Sequence, residues 1–531
     1  MRPDRLRSLD WIVLLAMGLS IRILLIGLEP YHDEGHYAAE AYFHYLNYTA
    51  GLFNPHAVLG FATGVNGALE LYALLRSWIF FVPAEPLLLM RIIDGAIAAS
   101  VGVVMYRYLA LATGSRLPAF LACILVILAM NHHDFIEAGS RNPIPLATLL
   151  LFCSLYLLER DQGTRLVLPA CCAALCVLVR EPFAPFAVSV AAYVWYRHGF
   201  RTAISFCGVA AACGVAVFGA VAALKGGTSA LAPMLRDYTQ TMYSNPELGL
   251  DLQRRAARAV ERSREMAALV PFVAPAFIAG LLAPLLDRTL RKEPLRGTYA
   301  LGLTMMLAPW LEMLMKKAYT YHAAQMLIGA SILVTFGFVL ICRMVAQLFR
   351  ERRLAGWAVA AALAFVHAVL LPGYARTMKY AAGWSLHFAP VMVLGNWNSP
   401  VVNDAYYLKL ASLIRRYSTP ADRILSTCSP PYPLAYRAPV TRETSDLNYY
   451  LLRARIAGTP LDELIARARQ DRPPIFIQEH MPEMPQLNRD LETIRDKLRD
   501  LYPVSVEVGP GLPPYRAFSA TVHISDRAAL R

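Results

Sequence analysis

The sequence predicts a polytopic α-helical membrane protein, with about eleven transmembrane helices in residues 1–371 and a C-terminal extracytoplasmic α/β domain in residues 372–531. Three observations carry this. Of the 531 residues, 56% are hydrophobic and 17% charged, where a soluble chain carries roughly a quarter charged residues. The apolar residues gather in blocks long enough to span a hydrocarbon core, not at core-facing spacing. The formal charge of +13 comes largely from arginines at the ends of those blocks. That is the pattern of membrane topology, so no nucleic-acid partner is expected.

The basic segment Met1–Asp10 precedes an apolar run from about Trp11 to Gly27 with no small-residue cleavage site after it. This predicts a first transmembrane helix with its N-terminus cytoplasmic. The polar stretch Glu29–Asn66 then lies outside. Ala68–Val82 contains Glu70 and Arg76 and is too short to span, so it is expected to lie at the outer surface as a helix. Further spans are expected at roughly 87–111, 117–131, 144–158, 166–180, 183–196, 203–223, 266–286, 298–315, 322–342 and 355–371.

The turns that this alternation places in the cytoplasm carry Arg107/Arg116, Arg160/Arg165, Arg197/Arg201, Arg288/Arg291/Lys292/Arg296 and Arg343/Arg350/Arg352/Arg353, as the positive-inside rule requires. The outer loop 225–265 breaks the rule with Arg236, Arg254, Arg255, Arg258, Arg262 and Arg264. A topology slip there would invert every later turn, so these arginines are expected to have work outside. All the cysteines but Cys428 sit in apolar runs, without metal-type spacing, and read as small core residues.

From about Pro372 the pattern becomes that of a soluble α/β domain. Strands are predicted at Arg423–Ser426, Pro474–Gln478, Val504–Val508 and Arg516–Ile524, and helices at 402–417, 460–470 and 487–501. No internal repeat is evident. Tyr432, Tyr436, Tyr449 and Tyr450 can stack on sugars, or simply pack in a small core.

Candidate chemistry begins just after the first span, at Tyr31-His32-Asp33-Glu34-Gly35-His36-Tyr37. A carboxylate at the membrane edge is partly desolvated and can serve as a general base, so Asp33 and Glu34 are the catalytic candidates. The alternative is a solvated loop. A second group is His132-His133-Asp134, Glu137 and Ser140-Arg141-Asn142-Pro143-Ile144-Pro145-Leu146. Arg141 at a helix N-terminus opposes the helix dipole and calls for an anionic partner, a lipid phosphate or nearby acids. His32, His36, His132, His133 and Asp134 are metal-ligand types, but without HExxH-like spacing no metal is expected.

The third group is Lys316-Lys317-Ala318-Tyr319-Thr320-Tyr321-His322, where one span ends and the next begins. Paired lysines on the outer side run against the positive-inside rule and point to an anionic headgroup; interfacial anchoring is the plainer reading. Arg91, and Arg180 in Arg180-Glu181-Pro182, add charge near the outer face. Charge at the hydrocarbon centre costs about 2.5–3.5 kcal/mol, which places these groups at the interface or in a cavity. No glycine-rich nucleotide-binding motif is present, which disfavours a nucleotide-sugar donor.

The order of these elements resembles the GT-C superfamily of membrane glycosyltransferases, in the branch of protein O-mannosyltransferases and lipid A aminoarabinose transferases. The resembling elements are Asp33-Glu34 after the first span, a surface helix leading into Leu89-Met90-Arg91-Ile92, and a Pro-Leu motif in Arg141–Leu146. The Lys/Tyr turn Lys316–His322 and a C-terminal extracytoplasmic domain complete the set. No single motif is specific; the ordered set carries the resemblance.

It implies inverting transfer of a sugar from a polyprenyl-phosphate donor to a protein, lipid or polysaccharide acceptor, at the outer face of a bacterial inner membrane, with no cofactor. Asp33 or Glu34 would deprotonate or orient the acceptor. Arg91, Arg141, Arg180, Lys316 and Lys317 would hold the departing phosphate. Asn142 and Pro143 stand where many relatives have an Asp before the Pro-Leu pair, which opens the second acidic role. Asp134 and Glu137 are candidates for it, with His36 and Tyr321 as further acceptor-side candidates. The competing function is a transporter or flippase of a lipid-linked or anionic substrate, which would favour polar residues near mid-span on broken helices.

Overall fold

A chain in hydrocarbon has to satisfy its own backbone N–H and C=O groups, so apolar blocks of this kind fold as helices. The computed structural model describes residues 8–28, 32–49, 71–131, 143–224, 252–315, 320–351, 354–419, 422–427, 434–435, 438–439, 461–480, 485–509 and 519–529. The first helices are α1 (Ser8–Leu24), α2 (His32–Thr49), α3 (Leu71–Arg76), α4 (Pro86–Thr113), α5 (Arg116–Met130), α6 (Ile144–Arg160) and α7 (Val167–Val179). They are followed by α8 (Ala184–His198), α9 (Phe200–Leu224), α10 (Leu252–Leu269), α11 (Ala274–Leu286), α12 (Leu295–Met315), α13 (Thr320–Ala324) and α14 (Met326–Arg350). After α15 (Leu354–Met392) come α16 (Tyr406–Tyr417), α17 (Leu461–Asp471), α18 (Pro485–Lys497) and α19 (Asp526–Ala529). The chain divides into two units. One holds Met1–Leu25, Arg91–Phe218 and Gly249–Gly383; the other holds Ile26–Met90, Gly219–Leu248 and Trp384–Arg531.

Among the described residues, Pro86–Thr113, Phe200–Ala223 and His322–Arg350 are long and apolar enough to cross a membrane. Leu252–Leu269 with Pro271–Leu286, bent by 80°, makes a fourth if counted as one span. Helix length therefore does not establish the expected eleven. The reason is local: α7 and α11 have 13 residues each and α5 and α8 have 15, short of the ~20 that a core requires. Proline, which has no N–H to donate, lies in the 3₁₀ turns Glu181–Phe183 and Pro271–Val273 that interrupt the pattern.

Two further expectations are corrected. The C-terminal part of the arginine-rich segment 225–265 is helical, because Arg254, Arg255, Arg258, Arg262 and Arg264 all lie on α10. The span expected at 266–286 begins instead at the Pro271 break. The helix that carries residue 372, α15, runs unbroken to Met392.

In the first unit α14 is buried from Leu327 to Leu340, without a polar side. Glycine makes this possible. A Cβ on Gly337 would lie 1.9 Å from the Ala276 carbonyl oxygen, one on Gly280 1.9 Å from that of Leu333, and one on Gly329 2.2 Å from the Met306 nitrogen. The backbones of α14, α11 and α12 therefore touch directly, as small residues allow between membrane helices. At the turns expected to be cytoplasmic, arginines meet acids of neighbouring helices: Arg197–Glu159 at 3.3 Å and Arg343–Asp287 at 2.6 Å. Tyr193 also donates to Glu159.

In the second unit, β1 (Arg423–Ser426), β2 (Ala438–Pro439), β3 (Ile475–His480), β4 (Val504–Val508) and β5 (Ser519–Ile524) form one sheet in the order β2-β1-β3-β5-β4. β1 is parallel to β2 and β3, and β5 is antiparallel to β3 and β4. The expected strands and helices are all present, the strands at 474–478 and 516–524 as Ile475–His480 and Ser519–Ile524. One sheet face packs Leu425 and Phe476 against Leu464 and Ala468 of α17 and Leu491 and Ile494 of α18. Towards the other end of that face the sheet is polar: Ser505 Oγ lies 2.9 Å from His523 Nδ1, and the His523 ring stacks on Phe476 with centroids 5.3 Å apart. Burial pushes the His523 imidazole down to about 4.

Two predictions follow from this packing. Gly337→Ala forces a Cβ against a backbone oxygen and is expected to lower the melting temperature in detergent by several degrees. Gly208→Ala, on α9 where nothing lies within 4 Å, is expected to leave it unchanged. For His523, a folded-state value below the unfolded one means that the unfolded chain binds the extra proton first. The stabilisation is therefore complete above about 6.5 and is lost as pH falls towards about 4, with a span of about 3 kcal/mol. The melting-temperature difference between wild type and His523→Gln should be flat above pH 6.5 and shrink below it.

Candidate functional site

The acidic pair opens a helix, not a loop. Asp33 and Glu34 fall in the first turn of α2, where backbone N–H groups lack helical partners and the dipole favours negative charge. Glu34 is 3% exposed, and Glu40 and His44 on the same helix are also buried. A solvated Glu34 is thereby excluded. α2 is rich in polar and aromatic residues, and it buries them against protein. Tyr37 meets Tyr72 edge-on at 5.3 Å, Tyr42 tilts over Phe80 at 5.1 Å, and the Arg76 guanidinium covers Tyr72 at 5.0 Å. The expected surface helix is thus α3 with the 3₁₀ turn Ser77–Phe81. Its inner side holds Tyr72, Arg76 and Phe80, while Leu75, Trp78 and Phe81 are exposed. The side chains of Asp33 and His36, which share α2, lie outside the described residues.

Arg91 sits on α4 at 6% exposure, with Asp94 one turn further on at 4%. Arg22 of α1 is buried as well, and its Cβ would be 3.3 Å from a side chain at Gly95. Glycine at 95 thus leaves room for a charged stem beside α4, and the segment concentrates charge inside the first unit.

Arg180 belongs to the most developed polar cluster of that unit. It follows α7 with φ −152° and ψ 106°, so the backbone is extended where the helix breaks. Its Nη2 donates to Glu312 Oε1 at 2.8 Å. His322 Nε2 lies 3.4 Å from the same oxygen, and Gln325 Nε2 donates to Glu312 Oε2 at 3.0 Å. One carboxylate therefore gathers donors from the end of α7, from α13 and from the start of α14. The Glu312 side chain is 1% exposed and that of Arg180 10%. Next to it, Arg255 of α10 donates to the carbonyls of Leu314 and Met315 at 3.3 and 3.0 Å. These are orphan carbonyls of the α12 C-terminus, where positive charge complements the dipole. An arginine of the segment expected to be an outer loop thus has a structural task directly before Lys316-Lys317 in the chain.

Sequence reasoning missed Glu312 and Gln325. A single Glu in an apolar run hardly moves an average hydropathy, although its cost at that depth was a signal to look for a partner. Arg141, Lys316, Lys317, Asp134 and Glu137 lie outside the described residues. Tyr321 lies on α13, with its side chain outside them. Among the described residues no group of three or more His, Cys, Asp and Glu is placed to hold a metal. A hollow of about 650 Å³ by Ile465, Arg469, Asp496, Lys497, Arg499 and Asp500 holds none of the candidate residues.

No family model matches this chain, and no curated protein does. Among solved structures it is similar to ArnT from Cupriavidus metallidurans in the apo state, with a TM-score of 0.54 and 13% identity over 98% of this chain and 99% of that one. The likeness is therefore one of fold, and it extends over nearly all of both chains.

Arg180→Met is expected to destabilise the protein by about 3–5 kcal/mol, since it removes the cation from a buried carboxylate. Arg180→Met/Glu312→Leu should recover most of that loss. Denaturation in detergent or in a reconstituted bilayer measures both.

Proposed function

We propose that this chain is an integral membrane glycosyltransferase that moves a sugar from a polyprenyl-phosphate donor to an acceptor hydroxyl on the outer face of the membrane. The supporting observation is the order of buried charge along a fold that matches ArnT over its length: a buried carboxylate on the first helix after α1, then buried arginines on α4 and after α7. On this reading the chain crosses a bacterial inner membrane about eleven times. Residues 1–371 form the catalytic part, and residues 372–531 lie outside the cytoplasm.

The chemistry needs two kinds of group. The acceptor oxygen attacks the anomeric carbon, the carbon–oxygen bond to phosphate breaks, and the sugar is passed on with inversion. The acceptor proton goes to Asp33 or Glu34, and a membrane-edge carboxylate suits that role. The departing polyprenyl phosphate gains charge and needs fixed cations more than an acid, and these would come from Arg91, Arg141, Arg180, Lys316 and Lys317. Asp134 or Glu137 would fill a second acidic role, with His36 and Tyr321 on the acceptor side. The step uses no metal or other cofactor.

Transfer by purified protein in lipid, offered a panel of polyprenyl phosphate sugars, tests this reading. Asp33→Asn and Glu34→Gln should both fold and insert, and one of them should lose transfer by a factor of about 10² or more. Equal turnover in both variants would remove the pair from the base role. Binding of several donors without any turnover would favour a carrier.

A further inference from the structure

Arg180 is carried on a backbone break, so helix geometry alone does not fix its guanidinium. Glu312 holds its Nη2 at 2.8 Å. The same carboxylate also takes His322 and Gln325, and each partner belongs to a different element. Burying a carboxylate costs several kcal/mol, and a single cation rarely offsets that; three donors do better. From Glu312, one further turn of α12 leads to Leu314 and Met315, the carbonyls that Arg255 holds, and then to Lys316-Lys317. Arg180 and Arg255 are like charges that both meet α12 within a turn of its end. Without a counter-charge they would repel and spread; with one they stay close while no ligand is present.

We infer that Glu312 is a positioning residue for an anion site at the end of α12, holding Arg180 in place to receive the phosphate of a lipid-linked donor. This inference rests on the donor reading above. Glu312 touches neither sugar nor acceptor in this role. It acts through Arg180, by its charge and by its reach: a neutral side chain of the same size keeps an acceptor oxygen but releases the guanidinium to move, and a shorter acid draws the guanidinium out of place.

Wild type, Glu312→Gln and Glu312→Asp in lipid nanodiscs are compared for binding of polyprenyl phosphate without sugar and for steady-state transfer. Glu312→Gln is expected to raise the Kd for polyprenyl phosphate and the donor KM at least tenfold, with kcat changed less than threefold and acceptor KM unchanged. Glu312→Asp keeps the charge and should fall between the two. A merely structural role would lower the melting temperature and the folded fraction without splitting KM from kcat. Should Glu312→Gln fail to fold, Glu312→Asp still decides: a donor KM equal to that of wild type, or a fall in kcat alone, overturns the inference. Wild type that neither binds polyprenyl phosphate nor transfers sugar overturns the donor reading itself. Wild type that does both, with Glu312→Gln binding equally well, overturns only the role of Glu312.

Discussion

The first unit depends on the burial of α14. A helix with no polar side can be held by contact alone, and between membrane helices that contact is van der Waals packing, not the expulsion of water. Gly337, Gly280 and Gly329 bring the backbone of α14 against those of α11 and α12. Longer side chains at those positions would push the axes apart. Because α14 is fixed along its length, so is its first turn, and Gln325 just before it meets Glu312. The polar cluster at the end of α12 is therefore a consequence of apolar packing about one to three turns away.

A second constraint is the cost of charge in hydrocarbon, and it divides the polar residues of α12. Thr298 near its start lies 3.4 Å from Tyr193 in the network of Glu159 and Arg197, whereas Glu312 near its end belongs to that of Arg180. Fourteen residues separate them, or about 21 Å of helix. Each network joins helix ends, where backbone groups also need partners, and the stretch between is apolar. One network lies at turns expected in the cytoplasm and reads as a structural tie. The other lies in the last turn of α12, four residues before Lys316, which the sequence places outside.

How legible was this in sequence? The sheet was nearly complete, because strands such as Val504–Val508 alternate with period two and stand between turn residues. Only the two-residue β2 escaped, being too short to carry a period. Asp33-Glu34 stood out as a pair, but the helix that it opens did not. His32–Thr49 is rich in tyrosine and poor in aliphatic residues, so its burial among aromatic rings left no apolar stripe to read. One span end failed where a proline falls. Pro271 breaks the span that hydropathy draws from 266 to 286, whereas the break at Pro182 falls in the expected gap between 180 and 183. Glu312 was illegible for the opposite reason: its partners come from 132 residues upstream and 13 downstream, and only the fold brings them together.

The breaks themselves bear on the choice between transferase and carrier. Carriers place broken helices near mid-membrane and line the gap with polar groups. The break at Arg180 falls between two short helices, α7 and α8, which pack against each other. It is thus the turn of a helical hairpin. The break at Pro271 joins α11, an apolar helix, to α10, which carries Arg254, Arg255, Arg258, Arg262 and Arg264. Five arginines on one helix are too costly to bury in lipid, so α10 belongs along a surface. On the proposed topology both breaks fall at membrane faces, not midplanes. Cations gathered at a membrane face suit a phosphate that arrives and leaves on its own lipid anchor, and that geometry supports the transferase.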